Sequence, residues 1–198
     1  MFRLIAGTTN QHKIHEIRRI LDLDGLTISS LNEFENFPDV NENGLTFHEN
    51  AAIKARAYFE YFRTPVFADD SGLVVPALSG EPGIYSARYS GPDASYESNN
   101  QLLIEKIRQI PEKYRNAQFV CTICYKDEKN EIFFTGTTDG IILDELTGVE
   151  GFGYDPLFYI PGLKKTYAQI DTDEKNRISH RGKAIGQLKE FFIKNMTL

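Results

Sequence analysis

Phe2-Arg3-Leu4-Ile5-Ala6-Gly7-Thr8-Thr9-Asn10-Gln11-His12-Lys13 changes character halfway along, and that change decides the fold class. Phe2 to Thr8 is a short apolar run and reads as a buried strand. It breaks at Gly7-Thr8-Thr9-Asn10, and Ile14, Ile17 and Leu21 then recur at helical spacing. Further along, Leu26 to Leu31 suits a second strand. Asn32 to Gly44 is polar, contains Pro38 and reads as a loop. Thr46 to Tyr61 predicts a helix, with Thr46 and Glu49 at capping-box spacing. Val66 to Asp69 predicts a short strand running directly into polar residues, followed by a Gly- and Pro-rich stretch from Gly72 to Gly91. A helix is expected within Ser95 to Ile110, with Leu102, Leu103 and Ile107 facing the core. Gln118 to Tyr125 and Glu131 to Thr138 form a hairpin across Lys126 to Asn130. Gly148 to Tyr154 is a glycine-rich loop, and Ser179 is the expected N-cap of a last helix carrying Ile185, Leu188, Phe191 and Phe192. Strands alternating with helices, plus one hairpin, predict an α/β chain with a mixed sheet.

The composition narrows the function. The chain has 198 residues, 41% of them hydrophobic, and so can bury about 70% of its unfolded surface as one domain, with room for two lobes. A net charge of −6 argues against a broad basic surface for nucleic acid. No apolar run approaches the roughly 20 residues needed to cross a bilayer, and Met1 to Gly7 lacks a signal peptide's long apolar region. The expected address is therefore the cytoplasm, with no membrane partner. The two cysteines, Cys121 and Cys124, fall on a predicted strand, where positions three apart face opposite ways. Core packing rather than redox or metal chemistry is the expectation, and it fits a reducing compartment.

Five clusters can carry chemistry. Thr8-Thr9-Asn10-Gln11-His12-Lys13 opens a helix, where backbone N–H groups, the dipole and a lysine can hold an anion; the plain alternative is a helix cap with solvated side chains. In Phe67-Ala68-Asp69-Asp70-Ser71-Gly72, adjacent acids after a buried strand suit Mg²⁺ or the orientation of a water, unless they form an exposed acidic turn. Glu42 lies in a loop and can add a metal ligand. Lys54 follows on a helix, where the helical period reads it as a solvated residue. Gly151-Phe152-Gly153-Tyr154-Asp155 offers glycines for close approach and rings for stacking on a flat ligand; a turn with aromatics folded onto the core is the alternative. Lys175, then His180 and Arg181 at a helix start, place cations where the dipole disfavours them, which suits either an anion site or an ion pair with a carboxylate.

These residues sit in longer motifs: T-x-N-x-x-K from Thr8, E-N-G-L-T-F-H-E-N-A-A-I-K-A from Glu42, F-A-D-D-S-G-L from Phe67, G-E-P-G-I-Y-S-A-R-Y-S-G from Gly80, G-F-G-Y-D-P-L-F from Gly151 and S-H-R-G-K-A from Ser179. In this series, which runs nearly end to end, the chain resembles the inosine/xanthosine triphosphate pyrophosphatases, which hydrolyse non-standard purine nucleotides. The resemblance implies an elongated mixed α/β structure of two lobes around a deep cleft, commonly a homodimer. It implies Mg²⁺-dependent attack of water on the α-phosphate, giving monophosphate and pyrophosphate. By the same resemblance Asp70 is the general base or a metal-linked carboxylate, supported by Asp69 and Glu42, and the two adjacent acids titrate as a coupled set in which the base is not assigned to one of them. Glu42 and Asp70 bind metal; Thr8 to Lys13, Lys54 and Ser71 bind phosphates. Phe152, Gly153, Tyr154, Asp155, Lys175, His180 and Arg181 hold the base and sugar. A pyrophosphatase for canonical nucleotides, as in the related Maf-like proteins, or a nucleotide sensor without turnover, are the competing readings.

Overall fold

The structure is a computed structural model and describes residues 2–195, so Met1 of the expected N-terminal segment lies outside the described residues. The chain alternates as anticipated: β1 (Phe2–Ala6), α1 (Gln11–Ile20), β2 (Leu26–Ser30), α2 (Phe47–Phe62), β3 (Val66–Val74), α3 (Tyr96–Ile107), β4 (Asn116–Lys126), β5 (Glu131–Ile142), β6 (Phe158–Ile160), β7 (Lys165–Thr166), α4 (Thr172–Ile178) and α5 (His180–Asn195). The sheet has seven strands in the order β2-β1-β3-β4-β5-β6-β7. Pairing is parallel from β2 through β1 to β3 and antiparallel from β5 through β6 to β7, so the sheet is mixed.

The chain forms two compact units. The first comprises residues 1–70, 121–136 and 180–198, and the second residues 71–120 and 137–179. In the first unit the strands bury both faces. On one, Leu4, Phe67, Cys121 and Ile123 meet Ile17 and Leu21 after and within α1 and Ile185, Leu188 and Phe192 of α5. On the other, Ile5, Val66, Ala68 and Cys124 meet Ala51, Ala52, Ala55 and Tyr58 of α2. The period of two that directs successive strand side chains to opposite faces separates these layers. Cys121 and Cys124 are both buried and free, one in each layer, as their spacing predicts. The second unit has its own core, where Leu103, Ile104 and Ile107 of α3 pack with Leu73, Phe119, Leu157, Phe158 and Tyr167.

The local signals that worked are caps. Asn10 accepts the backbone N–H groups of His12 and Lys13 at 3.0 and 3.3 Å and starts α1. Thr46 accepts that of Glu49 at 3.1 Å and starts α2, while Glu49 reaches back to the N–H of Leu45 at 2.6 Å, one residue before the cap.

Several expectations need correction. β1 ends at Ala6 rather than Thr8. β3 continues through the acids to Val74 instead of stopping at Asp69, because both carboxylates have partners that let them be buried in a strand. Leu102 is only half-buried, and Ile104 takes the core position beside Leu103. The sequence reading missed α4, a seven-residue helix capped by Asp171; Ser179 closes it and, with extended backbone immediately before His180, holds the expected N-cap position of α5. α4 is polar and carries no apolar stripe for a sequence reading to find.

No helix of the described residues is long and apolar enough to cross a membrane.

One close approach fixes how α5 lies on β5. A Cβ on Gly136 would stand 2.1 Å from the His180 carbonyl oxygen and 2.7 Å from the Ala184 nitrogen, both backbone atoms. Gly136→Ala is expected to destabilise by about 1–3 kcal/mol, the usual cost of overpacking. Thermal melts of wild type and variant check it, and an unchanged midpoint would contradict the packing.

Candidate active site

β3 carries Asp69 and Asp70, and its pleat sends them to opposite faces of the sheet. Each acid consequently has its own set of partners.

Asp69 shares the face of Phe67 and meets α1 and α5. Its Oδ2 lies 2.8 Å from Lys13 Nζ, 3.8 Å from Arg181 Nε and 4.0 Å from Cys121 Sγ. Arg181 is buried and donates through Nη1 to Glu16 Oε2 at 2.7 Å. Burial alone would lift the Asp69 carboxyl, but Lys13, Arg181 and Lys54 outweigh it and hold the group well below the usual carboxylate range. The Cys121 thiol is pushed up to about 12, by burial first and by the neighbouring Asp69 charge.

Asp70 shares the face of Ala68 and meets α2. Asn50 Nδ2 donates to its Oδ2 at 3.0 Å, and Lys54 Nζ stands 3.9 Å from its Oδ1. The same Lys54 ammonium contacts Glu42 Oε2 at 2.7 Å. Lys54 is buried rather than solvated as its helical period predicts, because the Glu42 and Asp70 carboxylates meet its ammonium. Burial lowers the affinity of Lys54 for its proton, and Asp69, Glu42 and Asp70 together more than reverse this. Asp70 behaves oppositely to Asp69. Burial raises its pKa, Glu42 adds to the rise, and Lys54, Asn50 and Lys13 only partly oppose it.

The carboxylates of Glu42 and Asp70 thus converge on one cation. Two carboxylates competing for a single ammonium suit a hard divalent ion that completes its shell with water and phosphate. Among the described residues no group of three or more His, Cys, Asp or Glu stands together as a metal cage.

The start of α1 is less open than the sequence suggests. The N–H groups of His12 and Lys13 are engaged by the Asn10 side chain, Thr8 Oγ1 accepts the N–H of Asn10 at 3.2 Å, and the Thr9 carbonyl accepts Asn32 Nδ2 at 2.9 Å. Gln11 and His12 are exposed, whereas Lys13 is half-buried with its ammonium on Asp69. His180 is buried at the first position of α5.

In the second unit, Ser71 continues β3 and is half-buried. The glycine-rich loop is organised by Asp155, whose Oδ2 accepts the N–H of Phe152 at 2.8 Å and Lys175 Nζ at 2.6 Å. Asp155 therefore fixes its own loop. Lys175, buried on α4, lies 4.7 Å from the Phe152 ring centre and 5.7 Å from that of Tyr167, within cation–π range. Gly151 has φ +78°, and a Cβ there would stand 2.1 Å from Asp155 Oδ2, so both the conformation and the close approach call for glycine. Gly153 offers its carbonyl to Asn100 Nδ2 at 2.9 Å, and the buried Tyr154 donates through its hydroxyl to the Ser86 carbonyl at 2.8 Å.

Sequence reading overlooked Glu16 and Asn50, and assigned Cys121 to the core without its contact to Asp69. Glu16 lies three residues after Lys13 and Asn50 four before Lys54, so helical spacing alone places each on the face of a recognised lysine.

The Ham1 family model matches residues 4–191. A dITP/XTP pyrophosphatase of Geobacter sulfurreducens is 46% identical over 191 residues, 96% of each chain. Among solved structures, the Ham1 protein of Staphylococcus aureus superposes with a TM-score of 0.88 at 41% identity, covering 97% of this chain and 98% of that one. A HAM1 protein of Coxiella burnetii gives 0.90 at 36% identity, covering 98% and 100%.

Two stability effects follow from these pairs. Asp69 has a folded pKa below its ordinary value of 3.8, so its contribution is complete above that value and is lost as the pH falls through the lower, folded one. The stability gap between wild type and Asp69→Asn should be widest above about pH 5 and narrow on acidification. Urea midpoints at several pH values read the gap; one that widens toward acid would refute the assignment. Lys175→Met strands the buried Asp155 charge and is expected to cost about 3–5 kcal/mol, read by the same denaturation.

Proposed function

The chain belongs to the Ham1 family, and on that premise we propose that it hydrolyses non-canonical purine nucleoside triphosphates (dITP, ITP and XTP) to the monophosphate and pyrophosphate. The observation that carries the reading is the opposite electrostatic treatment of two adjacent acids. Asp69 is held ionised by Lys13 and Arg181, whereas Asp70 has its pKa raised and is gripped by Asn50 and Lys54. A raised carboxylate is the better proton acceptor, so Asp70 is the group that takes the proton of the attacking water. Asp69 holds the Lys13 ammonium in place at 2.8 Å.

Lys13 and Lys54 meet the negative charge of the triphosphate, and Thr8, Thr9, Asn10, Gln11, His12 and Ser71 complete its binding. Such transfer depends mainly on positioning and electrostatics, which is what lysines held by carboxylate partners provide. Glu42 and Asp70 would hold the Mg²⁺ ion, which when bound neutralises charge on the departing pyrophosphate. Phe152 and Gly153 with Tyr154, Asp155 and Lys175 serve the base end, and His180 and Arg181 supply donors suited to a 6-oxo group. A donor facing the amino group of adenine would be left unpaired, which gives the discrimination its physical basis. The enzyme is proposed to work in the cytoplasm as a homodimer.

The test is pyrophosphate release with Mg²⁺ from dITP, XTP, dGTP and dATP. Rapid release from the first two and slow release from the others is expected. Asp70→Asn should lower kcat by about 10²–10⁴-fold, the usual contribution of a general base. Equal rates on all four substrates would make the protein a canonical pyrophosphatase, and no release from any would reduce it to a binder. Removing divalent ions with EDTA should abolish turnover, and excess Mg²⁺ should restore it. Turnover that persists in EDTA would rule out the metal.

A further inference from the structure

We propose that Asn50 is a positioning residue for the hydrolytic step, fixing the Asp70 carboxylate and, through the same side-chain amide, the segment that carries Glu42. The inference rests on the reading of Asp70 as the group that receives the proton. Asn50 is completely buried in the first turn of α2. Its Nδ2 donates to Asp70 Oδ2 at 3.0 Å, and its Oδ1 accepts the backbone N–H of Gly44 at 2.8 Å. One turn later on the same helix face, Lys54 contacts Glu42 Oε2 at 2.7 Å and stands 3.9 Å from Asp70 Oδ1. The contacts close a ring: Asp70 to Asn50, Asn50 to Gly44, two residues of chain to Glu42, Glu42 to Lys54, and Lys54 back to Asp70. Each oxygen of Asp70 thereby faces a different side chain of α2, so the carboxylate plane cannot rotate without breaking a contact.

Asn50 is the one neutral side chain in this ring. An amide carries a donor and an acceptor on a single rigid plane, which is what one neighbour that only accepts and one that only donates require. Leucine would leave the Gly44 N–H and the Asp70 carboxylate without their partner. Aspartate would keep the acceptor toward Gly44 but set a second negative charge against Asp70. The approach is tight on the other side as well. A Cβ on Gly44 would stand 2.7 Å from Asn50 Oδ1 and 2.7 Å from Glu49 Cβ, so the ring also restricts what Gly44 can be.

The decisive variant is Asn50→Asp, which preserves the loop contact and reverses only the contact with Asp70. Its kcat on dITP should fall by about 10²-fold while KM stays within threefold, the pattern of a contact that matters in the reaction rather than in substrate binding. A kcat within tenfold of wild type, or a raised KM with unchanged kcat, would overturn the inference. In wild type, amide exchange read by NMR supplies a check that needs no variant to fold. The Gly44 N–H should exchange at least tenfold more slowly than in an unstructured peptide of the same sequence. Exchange at the peptide rate overturns the proposed brace. An inactive wild-type enzyme would sink the proposed function and this inference together. An active wild type with a near-normal N50D variant would sink this inference alone.

Discussion

The pleat of β3 is the constraint on which the first unit depends. Because successive residues of a strand face opposite ways, Asp69 and Asp70 cannot share an environment. Each must find its counter-charges on its own side of the sheet, and the helices on the two sides supply them: α1 and α5 for Asp69, α2 for Asp70. A buried carboxylate without a partner is expensive, so the strand can run through both acids only because these helices are in place. The same alternation sorts the apolar residues around them. Phe67 joins the α1 and α5 layer, and Ala68 joins the α2 layer. Packing and charge pairing are therefore two outcomes of one geometric rule.

That rule makes the two acids inequivalent without any difference in residue type. Asp69 meets cations at close range and becomes a fixed negative charge. Asp70 meets an amide, a more distant ammonium and a like-charged neighbour in Glu42, and its affinity for a proton rises. A single dipeptide thus provides both a permanent anchor for cations and a titratable group. The second unit treats its buried charge differently. Asp155, Lys175 and Phe152 satisfy one another within a short loop and a short helix.

Much of this was legible in the sequence. The strand–turn–helix change at Gly7 to Asn10 predicts β1 and α1, Thr46 marks the start of α2, and the cysteine spacing predicts opposite faces for Cys121 and Cys124. The motifs around Glu42, Phe67, Gly151 and Ser179 single out most of the charged residues found buried. What was not legible depends on distant partners. β3 was expected to end at the acids because local rules treat adjacent carboxylates as surface residues, yet Lys13 lies 56 positions from Asp69 and Arg181 lies 165 from Glu16. Lys54 looks solvated by helical period, since period cannot register a carboxylate arriving from the Glu42 loop. α4 escaped notice because its important inward residue is a lysine rather than an apolar one, so it has no stripe to reveal it.

Cys121 lends this arrangement a chemical consequence of its own. Its sulfur lies beside a permanent negative charge in a buried layer, and burial together with that charge pushes its pKa up to about 12, so the thiol holds its proton at neutral pH. Peroxides and alkylating agents attack the thiolate, so a cysteine touching Asp69 is nonetheless chemically silent while the protein is folded. A small, polarisable residue can therefore stand against the buried Asp69 carboxylate without presenting a reactive thiolate there.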